Sequence, residues 1–211
     1  MFFISPPFGN YLNLEKTISI KGSFTLYPRG GLIVRILKTL RYNFQEEGWV
    51  NKIGLRNKGI DYAINKYNKN KNVIVSVAIL EHQEIDKLNS KIPSDMNLEL
   101  NVSCPNVDVN ETEAINRDLY KFLNKDRAWC IVKLSPNIDN KLIDNYYQQG
   151  FRQFHCSNTI ALKDGSGGLS GKALKKYNSK IIPYIKKKYP ETIVIAGGGI
   201  KNLKDVQYYK K

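Results

Sequence analysis

The sequence predicts an α/β fold, a (β/α)8 barrel of the TIM type, abbreviated in its first unit and incomplete at its C-terminal end. Three observations predict it. Short apolar runs alternate with helical patterns, which is the signature of parallel βαβ units. Five such units follow one another from Val73 onward, and two more strands precede them. Polar or glycine-rich loop signatures follow nearly every strand, whereas an open doubly wound sheet would concentrate them at one switch point. The chain has 211 residues, fewer than the about 250 of a full barrel, so one terminal strand and helix are expected to be missing. Residues 1–211 are read as one partial barrel domain.

The elements follow in order. Phe2 to Ser5 is a candidate first strand, ended by Pro6-Pro7. Thr17 to Phe24 alternates polar and apolar residues, as a half-buried strand does. Tyr27-Pro28-Arg29-Gly30-Gly31 is a turn by composition. Leu32 to Leu40 fits either a short helix or an apolar extended arm. Gly48 to Gly59, with its glycines and asparagines, is expected to be a loop. Ile60, Ala63, Ile64 and Tyr67 then recur at helical spacing.

From there the pattern is regular. Val73 to Ile79 is a buried strand, followed by a polar helix around Glu81 to Leu88. Met96 to Leu100 is a short buried run with an acidic interruption at Glu99, and Pro105 stops it because proline cannot continue a sheet ladder. A helix from about Glu111 to Leu123 leads to the strand Trp129 to Leu134, ended by Ser135-Pro136. The next helix starts near Asp139 and carries Leu142, Ile143 and Tyr146 on one face. Phe151 to Ser157 is a strand, Asn158 to Gly171 a long glycine-rich loop, and Leu174 to Lys188 a helix. Ile193 to Ala196 is the last strand, and Asn202 is placed to cap a final helix through Lys210.

Composition bounds the function. With 42% hydrophobic residues the chain is globular rather than disordered. No apolar run is long enough to span a bilayer, and the proline-broken N-terminus lacks a secretory pattern, so a cytoplasmic protein without a membrane partner is expected. The three cysteines, Cys104, Cys130 and Cys156, form no Cys-x-x-Cys pair, and with only two histidines no metal site is expected. His155, inside an apolar strand, reads as structural. The net charge of +14 admits a nucleic-acid partner, but the basic runs are scattered and fall at helix ends, where cations are favoured anyway. No nucleic-acid partner is therefore expected, and a homodimer is possible.

The candidate chemistry falls after strands. Asn101-Val102-Ser103-Cys104-Pro105-Asn106 places a thiol between two carboxamides just past a strand end. Asn57, Asn101, Asn106 and Asn158 each offer a donor and an acceptor, which suits a flat polar ligand such as a pyrimidine. Lys133 stands in an otherwise apolar strand. A buried unpaired lysine is unfavourable, so a ligand or a carboxylate is expected opposite it. Two glycine clusters, Gly167-Gly168-Leu169-Ser170-Gly171 and Gly197-Gly198-Gly199, precede helices, where backbone N–H groups can cradle a phosphate.

These residues resemble the dihydroorotate dehydrogenase family. The hexapeptide Asn101 to Asn106 looks like that family's signature. Asn51 to Gly59, Val132-Lys133-Leu134, Ser157-Asn158-Thr159, Gly167 to Gly171 and Ala196 to Ile200 follow in the order the family shows. The resemblance runs from about Ile18 to the C-terminus. It implies an FMN enzyme of pyrimidine synthesis that oxidises the small-molecule substrate dihydroorotate to orotate. Cys104 would be the general base. Asn57, Asn101, Asn106, Asn158 and Thr159 would hold the pyrimidine. Lys133 would contact the flavin ring, Lys21 would correspond to a family lysine near flavin and substrate, and Gly168, Gly171, Gly198 and Gly199 would bind the flavin phosphate. Cysteine as base is similar to the soluble class, whereas Ser157-Asn158-Thr159 and Gly-Gly-Leu-Ser-Gly look more like the membrane-associated class, so the electron acceptor stays open. The segment from Pro6 to Lys21 is shorter than the family's first unit. Two alternatives remain: a flavin enzyme similar to tRNA-dihydrouridine synthases, and a truncated non-catalytic homologue.

Overall fold

A computed structural model describes residues 1–102 and 109–210. Strands β1 (Phe2–Ile4) and β2 (Thr17–Phe24) come first. Helix α1 (Leu32–Thr39) and strands β3 (Arg41–Asn43) and β4 (Gly48–Asn51) then lie between β2 and α2 (Ile60–Tyr67). Next come β5 (Val73–Ala78), α3 (Glu84–Lys91), β6 (Leu98–Asn101), α4 (Val109–Asp118), β7 (Cys130–Leu134), α5 (Asn140–Gln148) and β8 (Gln153–Cys156). Two short strands, β9 (Ile160–Ala161) and β10 (Gly168–Gly171), precede α6 (Leu174–Lys188), β11 (Ile193–Ala196) and α7 (Leu203–Lys210).

Seven strands form one parallel sheet in the order β1-β2-β5-β6-β7-β8-β11. Alternation along each strand divides the core. Val73, Val75, Val77, Leu98, Leu100, Val132 and Phe154 face outward, onto Ile60 and Ala63 of α2, Leu88 of α3, Ile143 of α5 and Ile185 of α6. The opposite face carries a separate cluster of Ile18, Ile20, Ile74, Ile131 and Ile195, with Phe3 and Trp129 packed on it. That cluster joins both ends of the sheet, so the sheet is rolled into a nearly closed barrel with these side chains inside. The rings of Phe3 and Trp129 meet edge to face, with centroids 5.4 Å apart. The architecture is that of an incomplete TIM barrel.

The first unit is abbreviated, as its sequence predicts. A single 3-10 turn at Phe8–Asn10 stands where a helix would connect β1 to β2. It lies directly on β2: a Cβ on Gly9 would sit 2.1 Å from the Ile20 carbonyl oxygen, so only glycine fits. The Asn10 carboxamide holds the Gly22 backbone at both ends, accepting from its N–H at 2.7 Å and donating to its carbonyl at 3.2 Å.

Two expected loops are corrected. The stretch from Gly48 begins with β4, and the glycine-rich stretch from Asn158 contains β9 and β10. With β3 they form a second, antiparallel sheet in the order β3-β4-β10-β9. Glycine permits the close pairing: a Cβ on Gly48 would meet the Ser170 carbonyl oxygen at 2.0 Å, and one on Gly167 the Asn51 carbonyl oxygen at 2.2 Å. Val50 and Leu169 are buried in register across it. Neither strand is long enough to show an alternation of its own, and each needs a partner more than a hundred residues away. Both insertions leave the barrel from the C-terminal ends of strands, β2 and β8. The ambiguous run Leu32 to Leu40 is the helix α1, entered through Gly31 in the left-handed region (φ 85°).

Candidate active site

The barrel interior changes character within one side-chain step along each strand. On β5, Ile74 is followed inward by Ser76; on β7, Ile131 by Lys133. On β6 the inward positions are Glu99 and Asn101. Parallel register sets Ser76 beside Glu99 and Asn101 beside Lys133, and Lys133 beside His155 on β8. The result is a polar layer above the isoleucine cluster, on the side of the strand C-termini.

Glu99 is its centre and is fully buried. Ser76 donates to Oε1 at 2.8 Å, Lys133 Nζ stands 3.5 Å from Oε1, and His155 Nδ1 lies 2.5 Å from Oε2. Burial alone would raise this carboxyl. The Lys133 ammonium, the charge and hydrogen bond of His155 and the hydrogen bond from Ser76 reverse that effect and hold it at about 2. Glu99 is therefore ionised inside the barrel.

The polar layer continues to the rim as one hydrogen-bonded chain. Ser23 and Ser76 hydroxyls are 2.8 Å apart. Asn101 Nδ2 donates to Ser23 Oγ at 2.9 Å, and Asn158 Nδ2 donates to Asn101 Oδ1 at 3.0 Å. Asn158 Oδ1 accepts from the Thr159 N–H at 2.9 Å, and the Asn158 N–H reaches the Leu134 carbonyl at 2.9 Å. Thus residues from β2, β5, β6, β7 and the β8–β9 connection form one connected set.

A second feature lies at the start of α6. The two glycine clusters meet there: a Cβ on Gly199 would stand 2.8 Å from Lys172 Cα and 3.1 Å from the Gly171 carbonyl oxygen, and one on Gly198 2.6 Å from Leu174 Cδ1. Ala173 provides no side-chain cap for α6. The Gly197 and Gly198 carbonyls are held from the helix side by Asn178 Nδ2 at 2.7 Å and the Tyr209 hydroxyl at 2.8 Å. Lys172 and Lys201 stand alongside, both bonded to Glu47. Glycine backbone, a helix start without a side-chain cap and two ammonium groups suit a phosphate.

The remaining predicted site residues are placed as follows. Asn57 does not join the polar layer. Its Oδ1 accepts from the Thr25 and Gly59 N–H groups, and its Nδ2 donates to Thr25 Oγ1 and the Leu55 carbonyl, so its carboxamide ties its own loop to the segment just after β2. Lys21 alternates with the inward Ile20 and points the other way, donating to Asn13 at 2.8 Å with the Tyr67 ring of α2 5.9 Å away. Burial and the neighbouring Lys66 lower its pKa. Gly168 belongs to β10 and packs on Thr159, where a Cβ would sit 2.4 Å from Oγ1. Cys104 and Asn106 lie outside the described residues. Cys130 and Cys156 are buried on the helix-facing side; burial pushes the Cys130 thiol up to about 11, against the Arg127 charge, and raises Cys156 as well. Among the described residues, no three His, Cys, Asp or Glu side chains are grouped to hold a metal.

A family model described as dihydroorotate dehydrogenase matches residues 9–209. The chain belongs to the dihydroorotate dehydrogenase family. Among curated relatives of the family, it is 28% identical to the putative dihydroorotate dehydrogenase A (fumarate) of Streptococcus agalactiae, an alignment covering 78% of this chain and 64% of the relative. It is 31% identical to the catalytic subunit of dihydroorotate dehydrogenase B (NAD(+)) of Anoxybacillus flavithermus, covering 75% and 60%. The chain thus spans between 60% and 64% of these relatives' length. Among solved structures, DHODH from Eimeria tenella in complex with ferulenol superposes with a TM-score of 0.64 at 17% identity, over 89% of this chain and 64% of that one. That superposition supports the fold.

Reading the family motifs alone misses Glu99, Ser76, Ser23 and His155. One signal for Glu99 was present: it shares inward parity with Asn101 in a run that is otherwise apolar outward. The expectation of a carboxylate opposite Lys133 pointed to it without naming it.

Proposed function

We propose that the chain binds FMN at the C-terminal end of the barrel and oxidises dihydroorotate to orotate in pyrimidine synthesis. The observation that carries this reading is the connected set of hydrogen bonds, completed by the Lys133–Glu99 ion pair, that links Lys133, Asn101 and Asn158 at the strand ends, in a chain of this family. FMN held there would supply the hydride-accepting chemistry that the oxidation needs.

The chain's own residues do the rest. Gly171, Gly198, Gly199 and the start of α6 would hold the phosphate, with Lys172 and Lys201 adding positive charge. Lys133, positioned by Glu99, would be the residue that holds the flavin ring. Asn101 and Asn158, joined by Asn106 and Thr159, orient the pyrimidine ring through carboxamide donors and acceptors. Asn57 acts indirectly, by fixing the loop from Leu55 to Gly59. Cys104 takes the proton from the carbon next to the one that loses hydride. A free thiol has a pKa near 8.5, so substrate binding or nearby charge must favour its thiolate for this step. Of the chain's three cysteines, Cys130 and Cys156 are excluded by burial and raised pKa values.

The test is spectroscopic. The purified protein is expected to be yellow, and anaerobic dihydroorotate is expected to bleach it. Cys104→Ala is expected to keep the yellow colour and lose the bleaching. A colourless protein that takes up no added FMN overturns the cofactor assignment. Bleaching of Cys104→Ala at the parental rate overturns the base assignment.

A further inference from the structure

Helix α1 leaves an apolar stripe in solvent. The side facing the protein is mixed, with Leu32, Arg35, Ile36 and Thr39 half-buried. Thr39 Oγ1 accepts from the Lys52 N–H at 3.1 Å, and Arg35 lies against Gly54 with its Nε buried. Its apolar side chains Ile33 and Leu37, one turn apart, are 73% and 80% exposed, and Leu40 and Val34 flank them in the open. No residue of the helix is buried. Past Leu40 the exposure continues in Phe44 (84%) and Trp49, whose rings cluster with Tyr42 at 5.0 and 5.2 Å. An amphipathic helix normally covers its apolar stripe with the protein's own core. A contiguous apolar face left in water marks a surface that something else covers.

Charge selects the occupant. From Tyr27 to Lys58 the chain carries seven Lys or Arg and two Asp or Glu, and one of those acids, Glu47, is already bonded to Lys172 and Lys201. Lys38, Arg41 and Lys52 are exposed beside the apolar face. A second copy of this chain would bring the same basic rim, within a net charge of +14, against the first. A basic rim around an exposed apolar stripe is complementary to anionic lipid headgroups above acyl chains. We infer that α1, with the Phe44 and Trp49 edge, is a peripheral docking surface for an anionic membrane. This is surface attachment: no helix among the described residues is long and apolar enough to cross a bilayer.

The experiment is vesicle co-sedimentation of the full chain. Phosphatidylcholine vesicles are compared with vesicles containing about one-third phosphatidylglycerol, at low and high salt. Binding to the anionic vesicles, weakened by salt, is expected, with a blue shift of Trp49 fluorescence that Trp49→Phe removes. The double variant Ile33→Ser with Leu37→Ser is expected to bind at least about tenfold more weakly, since two buried apolar side chains are lost. Lys38→Glu with Arg41→Glu is expected to lose a comparable factor. These side chains are exposed, so the thermal midpoint of each variant reports that the fold is intact. Failure of the parent to bind anionic vesicles, or equal binding by the serine variant, overturns the inference. A concentration-dependent dimer that the serine variant abolishes also overturns it, by placing a second copy on the face.

Discussion

The lower and upper halves of the barrel interior are built from the same strands and differ by one inward step. Below lie Ile18, Ile20, Ile74, Ile131 and Ile195, a dry plug. Above lie Ser76, Glu99, Lys133 and His155, each buried or nearly so, with Asn101 and Ser23 at the rim. The lower half is stabilised by apolar area removed from water and needs no particular partner. The upper half is stabilised only while its charges and hydrogen bonds remain complete, because a buried charge without its partner is strongly unfavourable. The plug can therefore tolerate changes of shape that preserve volume, whereas the polar layer is an interdependent set. That layer also lies on the side where parallel barrels place their chemistry.

Breaking the polar layer at its centre is expected to have the largest effect. Glu99→Ala removes the buried anion that Lys133 and His155 face, and a loss of about 3–5 kcal/mol in urea-unfolding stability is expected. Glu99→Gln, which keeps the shape, should lose less. The same carboxyl sets a pH dependence. Its folded-state value is depressed from 4.5 to about 2, so its stabilisation is full above the unfolded value and is lost as pH falls through that window. Urea midpoints measured from pH 5 downward should fall more steeply for the parent than for Glu99→Gln; equal slopes would separate Glu99 from the acid sensitivity.

The plug gives the contrasting result. Ile131→Ala should remove about 2–5 kcal/mol by cavity formation, with FMN affinity unchanged in the protein that remains folded. A large loss of FMN affinity there would show that the two halves are not separable. At the rim, Asn101→Ala breaks the bonds to Ser23 and Asn158 at an expected cost of about 1–3 kcal/mol, and substrate affinity should fall with it. The smallest effect is expected at Lys21. Lys21→Met keeps the aliphatic stem beside Tyr67 and should leave FMN binding as it was, in a fluorescence titration. A marked weakening would place Lys21 back with the interior residues.

The strands of the regular region were legible in the sequence because each apolar run reports its own burial locally. Val73 to Ala78 and Cys130 to Leu134 need no distant information to be recognised. Lys133 likewise announced an unmet charge. Its partner was not legible, because the register of β6 against β7, Asn101 beside Lys133, decides which acid lies within reach. The β4–β10 pairing was hidden for a related reason. Four residues such as Gly48–Asn51 are too few for a period, and Gly168–Gly171, with glycine at both ends, looks like a turn until its partner is beside it. Asn57 was legible only as a motif residue: that its carboxamide ties the Leu55–Gly59 loop to Thr25, just past β2, depends on a partner 32 positions away.

By itself the sequence determined the βα alternation, the polar residues that end its strands and the family motifs, since these depend on neighbours a few positions apart. Only the tertiary structure decided which of those residues meet, that Glu99 is the anion under them, and that α1 leaves the stripe of Ile33, Val34 and Leu37 on the outside. Those outcomes depend on strand register and on which side of a helix finds a partner, and both are set by contacts between residues far apart along the chain.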